Sequence, residues 1–259
     1  MILEEFDPSK EAVLNPWNTV QKPAVFPKVG VSCFSSLTFE RMRQELGGGR
    51  IVGESRMANM VIPVYQVEYR GQELGLFMMD VGAPGCVALL EDVFEMGLEK
   101  LVLFGTCGVL DAGIEDCSVI IPDRAVRDEG TSYHYAPPSE EIDVNPRYIE
   151  EFMGILQEHN CHYTVGKVWT TDAPYRETKE KVKRRKESGC ICVDMECSAV
   201  AALAGLREKE IFQFFYAADN LDGEEWDCRS LSNHSNLLEK DRIATLALEL
   251  ALKMGKTIA

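Results

Sequence analysis

The stretch that decides the fold occupies residues 191–206 and reads ICVDMECSAVAALAGL. It opens with a short apolar run ending at Asp194, which predicts a strand buried on both faces. The alanine-rich segment at 198–206 predicts a helix that begins almost at once. A short buried strand that passes directly into a helix is typical of α/β proteins.

The same alternation continues on both sides of this stretch. Strands are predicted at 29–34, 61–69, 74–80, 101–104, 118–121, 163–170 and 211–217, and helices at 37–46, 86–96, 145–158, 179–186 and 237–254. The GTCG run at 105–108 is expected to end one strand in a tight turn, and Pro122 to stop another. Residues 1–28 are interpreted as an irregular N-terminal arm and 29–259 as one α/β domain, because no linker divides them.

Composition narrows the class of protein. With 259 residues, 46% of them hydrophobic, the chain can bury a sizeable core. A formal net charge of −15 argues against a nucleic-acid or anionic-membrane surface. The nine cysteines show no zinc-type spacing, so we expect no metal and buried thiols in a reducing cytoplasm. Glu4 and Glu5 stand where a signal peptide needs positive charge, and no apolar run is long enough to span a bilayer.

Polar residues follow four of the predicted strands. Ligands of α/β sheets bind beyond the carboxyl ends of the strands, so these positions are candidates for one site. They are Ser35-Ser36, Gly105-Thr106, Asp194-Met195-Glu196 and Asp219-Asn220.

The acidic pair around Met195 offers the clearest chemistry. A carboxylate held over a sugar can accept hydrogen bonds from both vicinal ribose hydroxyls, and a thioether provides an apolar, polarizable surface. Alternatively, Asp194 and Glu196 serve only the N-terminus of the following helix, whose dipole favours negative charge. The residues alone favour neither interpretation.

Asp219 and the glycine run suggest further roles. Asp219 follows the apolar run at 214–218, where burial would raise its pKa and suit it as general acid for a leaving base. A turn-forming aspartate is the alternative. The N–H groups around Gly105 and the hydroxyl of Thr106 can bind an oxyanion. A plain tight turn explains them equally well.

Two loops supply the remaining candidates. His134 lies in a loop bounded by glycine and proline, where an isolated histidine is usually structural. Tyr175 and Arg176 would give an aromatic face and a guanidinium to a planar base, unless they belong to an ordinary surface loop.

These pieces occur in the order found in the nucleoside phosphorylase family, which includes purine nucleoside phosphorylase, uridine phosphorylase and methylthioadenosine/adenosylhomocysteine nucleosidase. The resemblance runs from about Val29 to the C-terminus, and VDME at 193–196 is its most specific element. It implies an α/β fold with a mixed, partly barrel-like central sheet flanked by helices. It also implies a homodimer or a hexamer.

The resemblance assigns roles to individual residues. It implies that Met195 and Glu196 contact the ribose, and that Gly105 and Thr106 bind phosphate. The 127–137 loop is similar to the uridine phosphorylase loop whose histidine, here His134, contacts the sugar 5′-hydroxyl of a neighbouring subunit. Asp219 looks like the acid that hydrogen-bonds N7 of a departing purine, which favours a purine over uridine.

Two departures leave the nucleophile open. Phosphorolytic relatives carry arginines where this chain has Leu37 and Leu103, and arginine is the side chain suited to phosphate. Hydrolytic relatives place a glutamate in the first-strand loop, which Ser35 and Ser36 do not match.

The sequence therefore predicts an enzyme that cleaves the N-glycosidic bond of a nucleoside. Phosphate is the expected co-substrate, giving base and ribose-1-phosphate with no cofactor. The alternatives are hydrolysis by water, and a nucleoside-binding protein without turnover.

Overall fold

The computed structural model describes residues 2–231 and 234–256, so positions 257–259 at the end of the predicted domain lie outside the described part. The strands are β1 (Val29–Cys33), β2 (Arg50–Arg56), β3 (Val61–Tyr69), β4 (Gln72–Met78), β5 (Lys100–Val109), β6 (Val119–Asp128), β7 (Glu141–Asp143), β8 (Tyr163–Thr171), β9 (Cys190–Asp194) and β10 (Glu210–Asn220). The α-helices are α1 (Pro16–Thr19), α2 (Ser36–Glu45), α3 (Ala83–Met96), α4 (Ile149–Glu158), α5 (Lys179–Glu187), α6 (Cys197–Arg207) and α7 (Leu237–Gly255). Short 3₁₀ helices occur at Ile2–Glu4, Thr131–His134 and Pro174–Arg176.

The sheet is mixed, and part of it closes into a barrel. Strands β5, β9, β8, β6 and β10 pair in that order, and β10 returns to pair with β5. On the open side, β1 and β4 run parallel next to β5, and β3 and β2 complete the edge as antiparallel strands. This arrangement confirms the α/β class and the mixed, partly barrel-like sheet.

Helices pack on the sheet, and apolar side chains fill the space beneath them in several clusters. One cluster joins the sheet to α2, α4 and α7, and includes the stacked rings of Phe104 and Phe214 at 5.5 Å. A second cluster joins it to α3 and α6, and contains Leu103. Burial of these apolar surfaces is the main stabilising contribution. Among the described residues, no helix has the length and apolar character that crossing a bilayer requires.

Two predicted strand breaks were wrong. Gly105 and Gly108 lie inside β5, which continues to Val109, and they make no turn. A Cβ on Gly105 would approach the ring of Phe34 to 2.7 Å, and one on Gly108 would meet Leu221 at 2.4 Å. These glycines therefore permit close packing within the sheet.

Pro122 likewise does not stop its strand. Strand β6 runs on to Asp128, and its register with β8 shifts between Pro122 and Arg124. A register shift accommodates a residue that has no N–H to donate. The helix predicted from residue 145 begins at Ile149 instead, because the buried side chain of Asn145 bonds to the backbone of β10.

Candidate active site

A cavity of about 350 Å³ collects three of the four predicted strand ends. Thr106 of β5, the 194–196 segment after β9, and Asp219 of β10 all line it. The fourth end differs: Ser35 caps α2 by accepting a hydrogen bond from the N–H of Thr38, and Phe34 lines the cavity in its place.

The register of three strands explains this convergence. Gly108 of β5 pairs with Val193 of β9 on one side and with Asp219 of β10 on the other. Asp219 lies inside β10, which extends to Asn220, and so the expectation that it follows the strand was wrong. Because Gly108 has no side chain, Asp219 and the end of β9 approach each other across it.

Asp194 caps helix α6. Its Oδ2 accepts hydrogen bonds from the backbone N–H groups of Glu196 at 3.0 Å and Cys197 at 2.7 Å, and its Oδ1 accepts from the hydroxyl of Thr170 at 2.7 Å. Burial raises the pKa of Asp194 to about 6, and these hydrogen bonds oppose the shift. Asp194 therefore serves the N-terminus of α6, a role that the sequence alone could not assign to either acid.

Glu196 is directed elsewhere. Its side chain makes no cap bond to α6, and Oε1 accepts a hydrogen bond from the backbone N–H of Gly82 at 2.6 Å. Gly82 precedes α3 with a positive φ of 93°, a conformation that glycine adopts without strain. Burial, followed by the charge of Asp194, raises the pKa of Glu196 to about 8. Glu196 is therefore a buried carboxyl that faces the cavity with one oxygen anchored.

A second acidic group lies around Asp219. Burial raises the pKa of Asp219, while the indole N–H of Trp226, which donates to Oδ2 at 2.8 Å, opposes the shift. Glu177 lines the same cavity. Burial, and then the charge of Asp219, raise the pKa of Glu177 to about 7.

The sequence analysis missed Glu177 and Trp226. Glu177 directly follows the predicted base-binding pair Tyr175 and Arg176, and this proximity was the only signal available. Trp226 lies in a charged loop, EEWD at 224–227, with nothing to mark it as a partner of Asp219.

The cavity is acidic. Of the described residues that line it, four are carboxylic acids, and none is a lysine, arginine or histidine. Leu103 is fully buried in the core beside α3 and α6 and does not line the cavity. Thr106 lines the cavity, whereas Gly105 packs against Phe34.

Three arginines that do not line the cavity are engaged by other residues of the chain. The guanidinium of Arg127 is buried, donates to the hydroxyls of Ser132 and Ser139, and stacks over the ring of Tyr133. Arg43 pairs with Glu40, and Arg70 pairs with Glu249. None of these three guanidiniums is among the described residues that line the cavity.

The remaining predicted residues lie outside this cavity. Tyr175 is 99% exposed and lines an adjoining cavity of about 1080 Å³, which Asp219 and Glu177 also line. Arg176 is exposed and is absent from the described lining of either cavity. His134 is also exposed, on a 3₁₀ helix that packs against α3 and α6, and it does not reach the cavity of its own chain.

The protein is thus an α/β protein with a closed five-strand barrel and an acidic cavity at the strand ends. A model of the Phosphorylase superfamily matches residues 28–252. This chain belongs to that superfamily.

Curated relatives are similar over part of their length. Guanosine phosphorylase of Halorubrum lacusprofundi is 29% identical over 154 residues, which are 58% of this chain and 63% of that protein. The match thus spans less than two thirds of that relative. A DeoD-type purine nucleoside phosphorylase of Bacillus cereus is 25% identical over 165 residues, or 61% of this chain and 68% of the relative.

Solved structures share the fold along almost the whole chain. Uridine phosphorylase of Vibrio fischeri superposes with a TM-score of 0.73 at 20% identity, covering 93% of this chain and 95% of the other. Purine nucleoside phosphorylase of Toxoplasma gondii, in complex with immucillin-H, superposes with a TM-score of 0.73 at 18% identity, covering 89% and 92%.

Proposed function

We propose that this protein cleaves the N-glycosidic bond of a nucleoside, with a purine preferred over uridine. The observation that carries the proposal is that two buried or half-buried carboxyls, Glu196 and Asp219, line one cavity from opposite sides of Gly108. Such a reaction passes through a sugar with oxocarbenium character, so positioning and charge complementarity supply most of the rate.

Glu196 and Met195 are proposed to hold the ribose. The anchored oxygen of Glu196 fixes the carboxyl, and the ionised form, which predominates above the raised pKa of about 8, accepts hydrogen bonds from two vicinal hydroxyls. Met195 lines the cavity beside it and offers an apolar surface to the sugar. A negative carboxylate close to the ribose also stabilises positive charge that develops on the ring.

Asp219 is proposed to assist the departing base. Burial raises the pKa of Asp219, which shifts this carboxyl towards its protonated form, and N7 of a purine is a suitable acceptor of that proton. Two of the similar proteins are named as guanosine and purine nucleoside phosphorylases, which supports the preference for a purine. Glu177 and Tyr175 line the larger adjoining cavity, where the base would extend.

Phosphate is proposed as the nucleophile, as the relatives' names suggest, with the hydroxyl of Thr106 as one of its donors. The acidic lining favours a second candidate, water. A phosphate dianion in this cavity would lie near four carboxyls with no cation among the described lining residues, whereas water brings no charge.

We further propose a homodimer or hexamer that works in the cytoplasm. His134 is exposed and does not reach the cavity of its own chain, which is the position expected of a residue that serves a neighbouring subunit. The nine cysteines are free thiols, as a reducing compartment favours.

The decisive experiment incubates the purified protein with inosine, guanosine, adenosine and uridine, with and without phosphate, and separates base, ribose and ribose-1-phosphate. Base and ribose-1-phosphate formed only with phosphate would establish phosphorolysis. Equal base release with free ribose in both conditions would establish hydrolysis. Nucleoside binding without base release in either condition would contradict the proposal and leave a binding protein.

A further inference from the structure

A separate cavity of about 500 Å³ lies between helix α6 and the segment that precedes α4. It shares no described lining residue with the cavity that contains Glu196 and Asp219. Its walls include Asn145, Val200, Ala201, Ala204, Ile211 and Gln213. A cavity of this volume suits a small-molecule ligand.

Gln213 is the unusual member of this lining. Its side chain is 1% exposed, and within the described part of the chain neither its carboxamide nitrogen nor its oxygen has a hydrogen-bond partner. Burying an amide without partners costs free energy, and natural proteins leave very few such groups. An apolar side chain at this position would avoid this cost. The buried carboxamide of Gln213 therefore indicates a hydrogen-bonding partner from outside the chain.

The geometry of β10 directs Gln213 towards this cavity. Phe212 and Phe214 belong to the core cluster beneath α4 and α7. Side chains alternate along a strand, so Gln213 lies on the opposite face, where α6 packs. Asn145 fixes the backbone at this point, since it accepts a hydrogen bond from the N–H of Gln213 at 2.8 Å and donates to its carbonyl at 2.7 Å.

The available groups define the chemistry of the ligand. A primary carboxamide presents one donor and one acceptor side by side, which matches a molecule with an adjacent C=O and N–H. Val200, Ala201 and Ala204 are apolar and mostly small, and they leave room for a flat body beside Gln213. Charged residues also line the cavity, namely Asp143, Arg147, Glu208, Lys209 and Glu210.

We propose that the Gln213 cavity is a second binding site, for a small planar molecule with a lactam edge such as a free oxopurine base. The two observations behind this site, the cavity and the unpaired carboxamide, do not depend on the proposed catalytic site. The choice of a nucleobase among lactams rests on the proposed function, whose product it would be.

The test soaks crystals of the full chain with 8-bromohypoxanthine and locates bromine by anomalous scattering. We expect a peak between Gln213 and α6, and a separate one near Asp219 if the proposed function is right. A peak near Asp219 alone would overturn the second site and leave the proposed function supported. A peak at Gln213 alone would support the second site without the first.

Calorimetry in solution then tests the lactam contact. Hypoxanthine binding to the second site should weaken at least tenfold in Gln213→Leu, and 1-methylhypoxanthine, which lacks the lactam N–H, should bind the wild-type site at least tenfold more weakly. Equal binding of both bases there, or an unchanged affinity in the variant, would overturn the assignment. Gln157→Leu, on the exposed face of α4, is the matched control.

A second readout separates this role from a structural one. Without ligand, Gln213→Leu should melt at a higher temperature than wild type, because it removes an unpaired buried amide. Turnover of nucleoside should be unchanged. Should the leucine variant fail to fold, Ala204→Leu fills the same cavity from α6 and must abolish the bromine peak at Gln213; a persistent peak would overturn the proposal.

Discussion

Asp194 and Glu196 stand two residues apart at the start of α6 and have different partners. Asp194 caps the helix through the N–H groups of residues 196 and 197, whereas Glu196 accepts a hydrogen bond from Gly82, at the start of α3. With the helix already capped by Asp194, the remaining lone pairs of Glu196 are available to a ligand. Substitutions of the two acids should therefore differ in their effects on activity and on stability.

Glu196→Gln should remove activity without lowering stability. Losing two charge-assisted hydrogen bonds of about 1.5–3 kcal/mol each corresponds to a loss of about 100- to 10,000-fold in kcat/KM. The amide oxygen of glutamine still accepts from Gly82, so at pH 5, where Glu196 is protonated in the folded protein, the melting temperature should change little. The matched control is Glu129→Gln, a buried glutamate that bonds to Ser198 and Ser132 away from the cavity. A large loss of stability in Glu196→Gln would make Glu196 a structural residue.

Asp194→Ala should instead affect the stability of the protein. It removes the cap of α6 together with the bond from Thr170, and it should lower the free energy of unfolding by about 1–3 kcal/mol. Chemical denaturation measures this directly. Glu150→Ala, an exposed acid in the first turn of α4, should cost far less. Equal losses from both substitutions would contradict a special role for Asp194.

Buried carboxyls should make the protein less stable as the pH rises. Burial raises the pKa of Asp194 to about 6, of Glu177 to about 7 and of Glu196 to about 8. Unfolded carboxyls titrate near pH 4, so the folded state binds more protons between about pH 4 and 8, and its stability falls across this window.

Removing one of these groups isolates its share of that pH dependence. Glu196→Gln cannot titrate, so its melting temperature relative to wild type should increase steadily between pH 5 and 8 and then level off. Scanning calorimetry at closely spaced pH values gives the difference curve. A difference that stays constant across this range would show that the pKa of Glu196 is not raised.

Helices and strands could be predicted where apolar residues recur with a single helical or strand period. Prediction was less successful where one residue type, such as glycine, occurs both in turns and inside strands. Residues 61–69 and 86–96 are a clear strand and a clear helix, and the structure has both. The glycines at 105 and 108 suggested a turn, yet they admit Phe34 and Leu221, which are distant in sequence. Strand β2 was not predicted, because its polar residues sit at an exposed sheet edge without alternation.

Residues of the candidate site could likewise be predicted only where a local sequence pattern marks them. Asp194, Met195 and Glu196 were found because they end a strand, which is a local property. Glu177 was missed because its relation to Asp219 depends on how a 3₁₀ turn meets β10, which no local pattern encodes. The role of His134 depends on assembly and stays a prediction.

Trp226 should act as a positioning residue for Asp219. Trp226→Phe removes the indole N–H that stabilises the ionised form, so the pKa of Asp219 should rise further. The corresponding limb of the pH–rate profile should move up by about one unit, given about 1.4 kcal/mol per unit. Trp17→Phe, a half-exposed tryptophan in α1, is the control and should leave the profile in place. An unmoved profile in Trp226→Phe would exclude this role.

Asp219→Asn should impair only those substrates whose base must be protonated as it leaves. Loss of a general acid typically lowers the rate about 100- to 10,000-fold, and inosine should suffer such a loss. In 7-methylinosine the imidazole ring already carries a positive charge, so its departure needs no proton and the variant should cleave it at a rate close to that of wild type. Asp123→Asn changes an exposed acid of β6 that does not line the cavity, and it should affect neither nucleoside. If both nucleosides slowed equally in Asp219→Asn, the side chain would be holding the base rather than protonating it, because a binding contact is lost whatever the leaving group requires.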